Sequence, residues 1–201
     1  MTRCYTFFLV VLTAALFAAP EPLRAQNSLP GSGAFGVDVS FSATTMGGNF
    51  YSRDGRTAGW SFAPTAFYVV ESDISLGLSL QISRSNSSKF SDEEPTTTVA
   101  LGPSFNVHFG EKGKELAPFA GISILGIRTR VKEDRGIFQE SMTFYGAGVD
   151  LASGVTFMLS PSVAVTGEAF VLAKVLTRLE DTEETDVGNA LGLRVGLTGF
   201  F

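Results

Sequence analysis

Residues 74 to 83 place Ile74, Leu76, Leu78, Leu80 and Ile82 on one side of an extended chain and Ser75, Gly77, Ser79, Gln81 and Ser83 on the other. Five successive steps of period two mark a β-strand with one apolar and one polar face. The split recurs in residues 34 to 43, where Phe35, Val37, Val39 and Phe41 oppose Gly36, Asp38, Ser40 and Ser42. It returns in residues 99 to 109 and again in 191 to 201, where Leu191, Leu193, Val195 and Leu197 oppose Gly192, Arg194, Gly196 and Thr198. Segments 58 to 70, 117 to 130, 142 to 158 and 163 to 173 are rich in Val, Ile, Phe, Tyr and Thr without strict alternation, and bring the predicted strands to eight. Changes of apolar parity predict bulges around Ile124 to Gly126 and Leu151 to Gly154.

The connections alternate in length. Short turns are expected at Glu71 to Asp73, Gly110 to Glu115 and Ser160 to Ser162, and long polar loops at Met46 to Thr57, Arg84 to Pro95, Lys132 to Ser141 and Lys174 to Gly188. Transmembrane barrels show this asymmetry, with short periplasmic turns and longer extracellular loops.

Face polarity separates a soluble barrel from a membrane one. A soluble barrel fills its interior with bulky apolar side chains. Here the second face is Gly, Ser, Thr and Asn, punctuated by Asp38, Asp150, Glu168 and Arg194. Such a face suits a wet or ion-paired lumen and leaves the Leu, Ile, Val and Phe face for lipid. Strands of about 9 to 11 residues suffice to cross a bilayer, provided that the sheet closes and satisfies every backbone group. Aromatic residues near strand ends are expected at the two interfaces: Phe35, Tyr68, Phe109, Phe119 and Phe157 at the periplasmic rim, and Phe41, Trp60 and Tyr145 at the outer one.

The first residues read as an exported precursor. Arg3 precedes the run Phe7 to Ala19, apolar except for Thr13, and Leu23-Arg24-Ala25 ends on a small residue. That order predicts a signal peptide over residues 1–25, cleaved before Gln26, with a barrel domain over 26–201. The run is too short for a spanning helix, which needs roughly 20 residues. Cys4 is the only cysteine, so the mature chain has neither disulfides nor a Cys-based zinc site. Without residues 1–25, 13 basic residues face 19 acidic ones, a balance that disfavours nucleic-acid binding.

On these residues the chain resembles the small eight-stranded outer-membrane barrels, the class of the OmpX-like proteins and the OmpA transmembrane domain. Phe62-Ala-Pro-Thr-Ala-Phe-Tyr-Val-Val70, the turn Glu71 to Asp73 and Ile74 to Leu80 look like the family's second hairpin, and Ala117-Pro-Phe-Ala-Gly121 like its fifth strand. The family ends on an aromatic residue preceded by apolar residues at every second position, which the barrel-assembly machinery reads. Leu193, Val195, Leu197 and Phe201 match that pattern, and Gly199 departs from it. The resemblance implies an all-β, eight-stranded, antiparallel up-and-down transmembrane β-barrel in a bacterial outer membrane. Outer-membrane lipid, lipopolysaccharide and the assembly machinery are its expected partners, a monomer its expected state, and no cofactor is implied. No periplasmic domain is expected after Phe201, so peptidoglycan anchoring does not carry over.

Chemistry is sparse. His108, the only histidine, is expected in the lumen close to a periplasmic turn, without acidic neighbours in phase, and reads as a hydrogen-bonded lumen residue rather than a catalytic one. Glu168 and Arg194 lie at similar heights on the seventh and eighth strands, so they are expected to pair, with Asp38 closing the group from the first strand. Arg128 and Asp150 form a second expected pair. Buried charges require such partners. The cluster reads as a plug, because an eight-stranded barrel is just wide enough for its own side chains; a gate in a narrow passive channel is the alternative. The acidic run Glu180 to Asp186 reads as a solvated loop, with divalent cations that bridge lipopolysaccharide as the alternative. Gly110-Glu-Lys-Gly-Lys114 lacks the spacing of a phosphate loop. The expected function is that of a structural or surface-interaction barrel whose long loops, with Tyr51, Phe90 and Phe138 as contact points, meet partners; a channel comes second and a lipid-modifying enzyme trails both.

Overall fold

The structure, a computed structural model, describes residues 30–48, 57–71, 73–87, 94–109, 115–135, 138–178 and 185–201. The predicted signal peptide, the Gly110 to Lys114 segment, Tyr51, Phe90 and most of the acidic run lie outside the described residues.

Eight strands follow one another: β1 (Phe35–Gly47), β2 (Thr57–Glu71), β3 (Ile74–Ser87), β4 (Glu94–His108), β5 (Leu116–Arg135), β6 (Phe138–Ser160), β7 (Val163–Arg178) and β8 (Thr185–Phe200). Each pairs antiparallel with its neighbours, and β8 returns to β1 to close a barrel. The closing seam runs from Gly36 opposite Phe200 to Gly47 opposite Asn189. Beyond it, the Phe201 amide donates to the Phe35 carbonyl (2.8 Å) and the Phe35 amide to the Phe201 carbonyl (3.2 Å). Closure removes the unpaired edges that an open sheet would expose.

A walk across ladder partners starts at Ile74 and passes Val107, Ala120, Ser153, Ala169, Leu193, Ala43 and Trp60. It returns to β3 at Arg84, ten positions beyond Ile74. This stagger tilts the strands by about 35–45° to the barrel axis. All nine residues of the walk point outward, so it also maps the outer face.

Outside, the alternation holds: Leu78, Leu101, Ile124, Leu151, Val171, Leu193 and Val195 are exposed, Leu193 to 69%. Inside, small hydroxyls bind across neighbouring strands, with Ser42 bonded to Ser61 (2.6 Å) and Thr98 to Thr129 (2.9 Å). Glycines on the inner face make room for bulk: the Phe67 ring lies where a Gly36 Cβ would stand.

Three expectations are corrected. First, the strands run deep into the segments read as long loops: β5 reaches Arg135, β6 starts at Phe138, and Lys132 still pairs with Ser141. Past the apolar band both faces are polar, so the hydrophobic period fades while the backbone ladder continues. Second, β5 and β6 stay in register through Ile124 to Gly126 and Leu151 to Gly154; the register shifts fall at Val69/Glu71 and Met158/Ser160. The apolar parity changes on β5 because Leu125 and Ile127 fill the interior. Third, Phe119, expected on the rim, is buried inside, while Phe35, Tyr68, Phe109 and Phe157 face outward near the short-turn end.

Candidate functional site

The middle of the lumen is crossed by one ion-paired cluster. Arg194 on β8 and Glu168 on β7 are direct ladder partners, and both side chains point inward. Arg194 Nη1 donates to Glu168 Oε1 (2.6 Å), and Nη2 donates to Asp150 Oδ2 on β6 (2.8 Å). The guanidinium thereby engages two carboxylates from two strands, a use that suits its planar fork of donors. Its flat face lies over the Phe170 ring, 4.1 Å from the centroid. Burial makes the three charges mutually dependent, since a buried charge without a partner is costly.

Asp38 occupies the neighbouring layer towards the short turns. Its ladder partner on β8 is Thr198, whose hydroxyl donates to Asp38 Oδ1 (2.7 Å). Gly196 lets the carboxylate lie against β8, for a Cβ there would approach the two Asp38 oxygens to 2.7 and 3.0 Å. Thus the carboxylates in contact with Arg194 are Glu168 and Asp150, and Asp38 is satisfied by a hydroxyl.

The expected pairing of Arg128 with Asp150 is overturned. An unbroken β5–β6 register keeps Arg128 on the outer face with Ile122 and Ile124, where its guanidinium sits 5.8 Å from the Tyr145 ring centroid. Asp150 points inward and takes Arg194 instead.

Towards the long hairpins the lumen holds an apolar cluster that sequence reasoning missed, packed beside buried Lys174, Thr98 and Thr129. Met46, Ala100, Leu125, Ile127, Val131, Leu172, Leu176 and Ala190 form one buried cluster, with Phe144 packed against it. Phe170, Leu172 and Leu176 share the parity of Glu168 along β7, a signal available in the sequence. Near the short turns a second cluster, Met158, Ala164 and Phe200, receives Phe67, whose ring meets Phe200 edge-on at 5.8 Å. Between the two lies a cavity of about 100 Å³, bordered by Asp38, Ser104, Asn106, Thr166, Glu168 and Arg194. His108 also borders it, its ring 5.7 Å from that of Phe119. Among the described residues, no group of three His, Cys, Asp or Glu side chains is placed to hold a metal ion.

The residues expected to serve assembly share the outward parity of β8, with Gly199 leaving a gap in the row before Phe201. Leu193 and Val195 are exposed, Leu197 is half-buried, and Phe201 is 83% exposed.

The chain matches no protein-family model and no curated protein sequence. Its fold has clear counterparts. Neisserial surface protein A superposes with a TM-score of 0.61 at 17% identity, covering 85% of this chain and 100% of that one. The outer membrane protein OprG of Pseudomonas aeruginosa gives 0.55 at 10% identity, covering 88% and 99%. Ail, the attachment invasion locus protein of Yersinia pestis, gives 0.51 at 10% identity, covering 85% and 99%. At these identities the likeness is one of architecture: the chain has the fold of the small eight-stranded outer-membrane β-barrels.

Proposed function

We propose that this chain is an integral outer-membrane barrel with a closed lumen, a non-enzymatic scaffold that presents its long hairpins at the cell surface. The observation that carries the reading is the double closure of the interior. The Arg194–Glu168–Asp150 cluster fills one layer. An apolar layer of Leu125, Ile127, Leu172 and Leu176 fills the next. A charged layer alone could serve as a gate; packed side chains beside it, the apolar cluster with buried Lys174 among them, fill a second level of the lumen. The exposed Leu, Ile, Val and Phe side chains require a hydrocarbon surrounding, since a contiguous apolar surface of this extent is foreign to a soluble monomer. Export by a signal peptide over residues 1–25 and assembly by the outer-membrane machinery belong to the same reading.

Two measurements test it. On fractionation the chain is expected in the outer membrane, with heat-modifiable migration on gels; recovery in a soluble fraction without a heat shift contradicts the membrane assignment. In planar bilayers the wild-type barrel is expected to show no steady ion conductance. Large, steady channels contradict the closed lumen and favour the channel alternative.

A further inference from the structure

The acidic chain carries an outward-facing basic patch on one side of the barrel. Arg84 on β3 and Arg130 on β5 share one ladder row through Thr97 on β4, and Arg128 and Lys132 flank Arg130 along β5. All four are exposed. Trp60 lies beside Arg84 in the same row and Tyr145 beside Arg128 in the next, both facing outward. Arg130 Nη2 donates to the Ser141 hydroxyl (3.1 Å), which holds that guanidinium over β6.

The height of the patch decides what it meets. Arg84 lies ten residues along β3 from Ile74. At about 3.3 Å per residue and a tilt of about 40° this is about 25 Å along the axis, the height of the apolar band of such barrels. The cations therefore stand where hydrocarbon gives way to head groups at the long-hairpin end. Directly below them the outer wall is notched: Gly126 has no side chain, and a Cβ there would meet only the Leu101 carbonyl at 3.7 Å. Val99, Leu101, Arg128 and Tyr145 edge this shallow, open depression.

We infer that the notch and the arginines above it form a binding site for a phosphorylated, multi-acyl glycolipid of the outer leaflet. An acyl chain lies against Gly126 and Leu101, while Arg84, Arg128 and Arg130 hold phosphate oxygens. Arginine suits phosphate through paired N–H donors, and Tyr145 and Trp60 suit the interface at which the head group sits. Charge complementarity selects this occupant: one face gathers guanidinium groups on a chain of formal net charge −5. The site rests on the membrane reading above.

The test is native mass spectrometry of the full chain, extracted from membranes and offered bisphosphorylated lipid A or its enzymatically dephosphorylated form. Wild type is expected to retain the phosphorylated lipid at least tenfold better. The Arg84→Gln/Arg128→Gln/Arg130→Gln variant is expected to lose that preference while keeping heat-modifiable migration. Gly126→Leu, which fills the notch and leaves the cations in place, is expected to weaken retention of both lipids. A heat-modifiable wild-type barrel that shows no preference for the phosphorylated form, or a triple variant that keeps it, overturns the site alone. A wild-type chain that stays soluble and migrates without a heat shift overturns the membrane reading and the site together.

Discussion

Arg194 and Glu168 face each other across the β7–β8 ladder and meet inside the barrel at 2.6 Å, and the same guanidinium reaches Asp150 at 2.8 Å. One cation thus ties β8 to β7 and to β6 through side chains, beside the backbone ladder. The seam where β8 meets β1 lies on the other edge of the same strand, so the cluster braces the segment that closes the barrel.

Arg194→Ala leaves Glu168 and Asp150 facing each other without a counter-charge. Breaking a buried pair in this way typically costs about 3 to 5 kcal/mol. Urea unfolding in lipid vesicles is expected to show a loss of that order. A triple variant, Arg194→Met with Glu168→Gln and Asp150→Asn, removes all three charges and is expected to recover most of it. Equal losses in both variants would show that packing, not charge, sets the effect.

Gly36→Leu places a side chain where the Phe67 ring lies. The ring must leave its edge contact with Phe200, and overpacking of this kind costs about 1 to 3 kcal/mol. The same unfolding assay reads the loss. Adding Phe67→Ala is expected to relieve part of it, because the two changes share one space and are therefore coupled.

The sequence made the barrel legible where one face is small and polar. On β1, β3 and β8 the alternation of Phe35, Val37 and Val39, of Leu76, Leu78 and Leu80, and of Leu193, Val195 and Leu197 marks the outward face without ambiguity. The level shared by Glu168 and Arg194 follows from counting back from the β6–β7 turn and from Phe201. Legibility failed on β5, where Ile122 and Ile124 face out and Leu125 and Ile127 face in. With both faces apolar, period two cannot assign sides, and the expected inward Arg128 lies on the outer face. The strand ends were hidden for the opposite reason. From Lys132 to Arg135 the residues are polar at both parities, and only the backbone ladder shows that the strands continue.

Arg194→Ala is expected to leave planar bilayers non-conducting, because the apolar layer of Leu125, Ile127, Leu172 and Leu176 still closes the lumen. Conductance is expected only when Leu125→Gly and Leu172→Gly are added. Steady channels from the single variant would mean that the ion cluster alone is the barrier.

Phe201 is largely exposed, and its backbone bonds to Phe35 do not depend on its ring. Phe201→Ala is therefore expected to fold in vesicles with near wild-type stability, yet to accumulate in cells as a form without heat-modifiable migration. This outcome follows from reading the outward row Leu193, Val195, Leu197 and Phe201 as the assembly signal. Equal amounts of assembled barrel in cells would remove that role.

The alternating outward side chains of this barrel are expected to lie in lipid and the inward ones in a closed interior. Spin labels placed singly along β8 at residues 190 to 198 and read for collisions with oxygen and with a water-soluble relaxant test it most directly. Oxygen collisions are expected to peak at Leu191, Leu193, Val195 and Leu197 and to fall at Gly192, Arg194 and Gly196, with the relaxant low throughout. Relaxant collisions peaking at Leu193 and Val195 would place that face in water and overturn the membrane assignment.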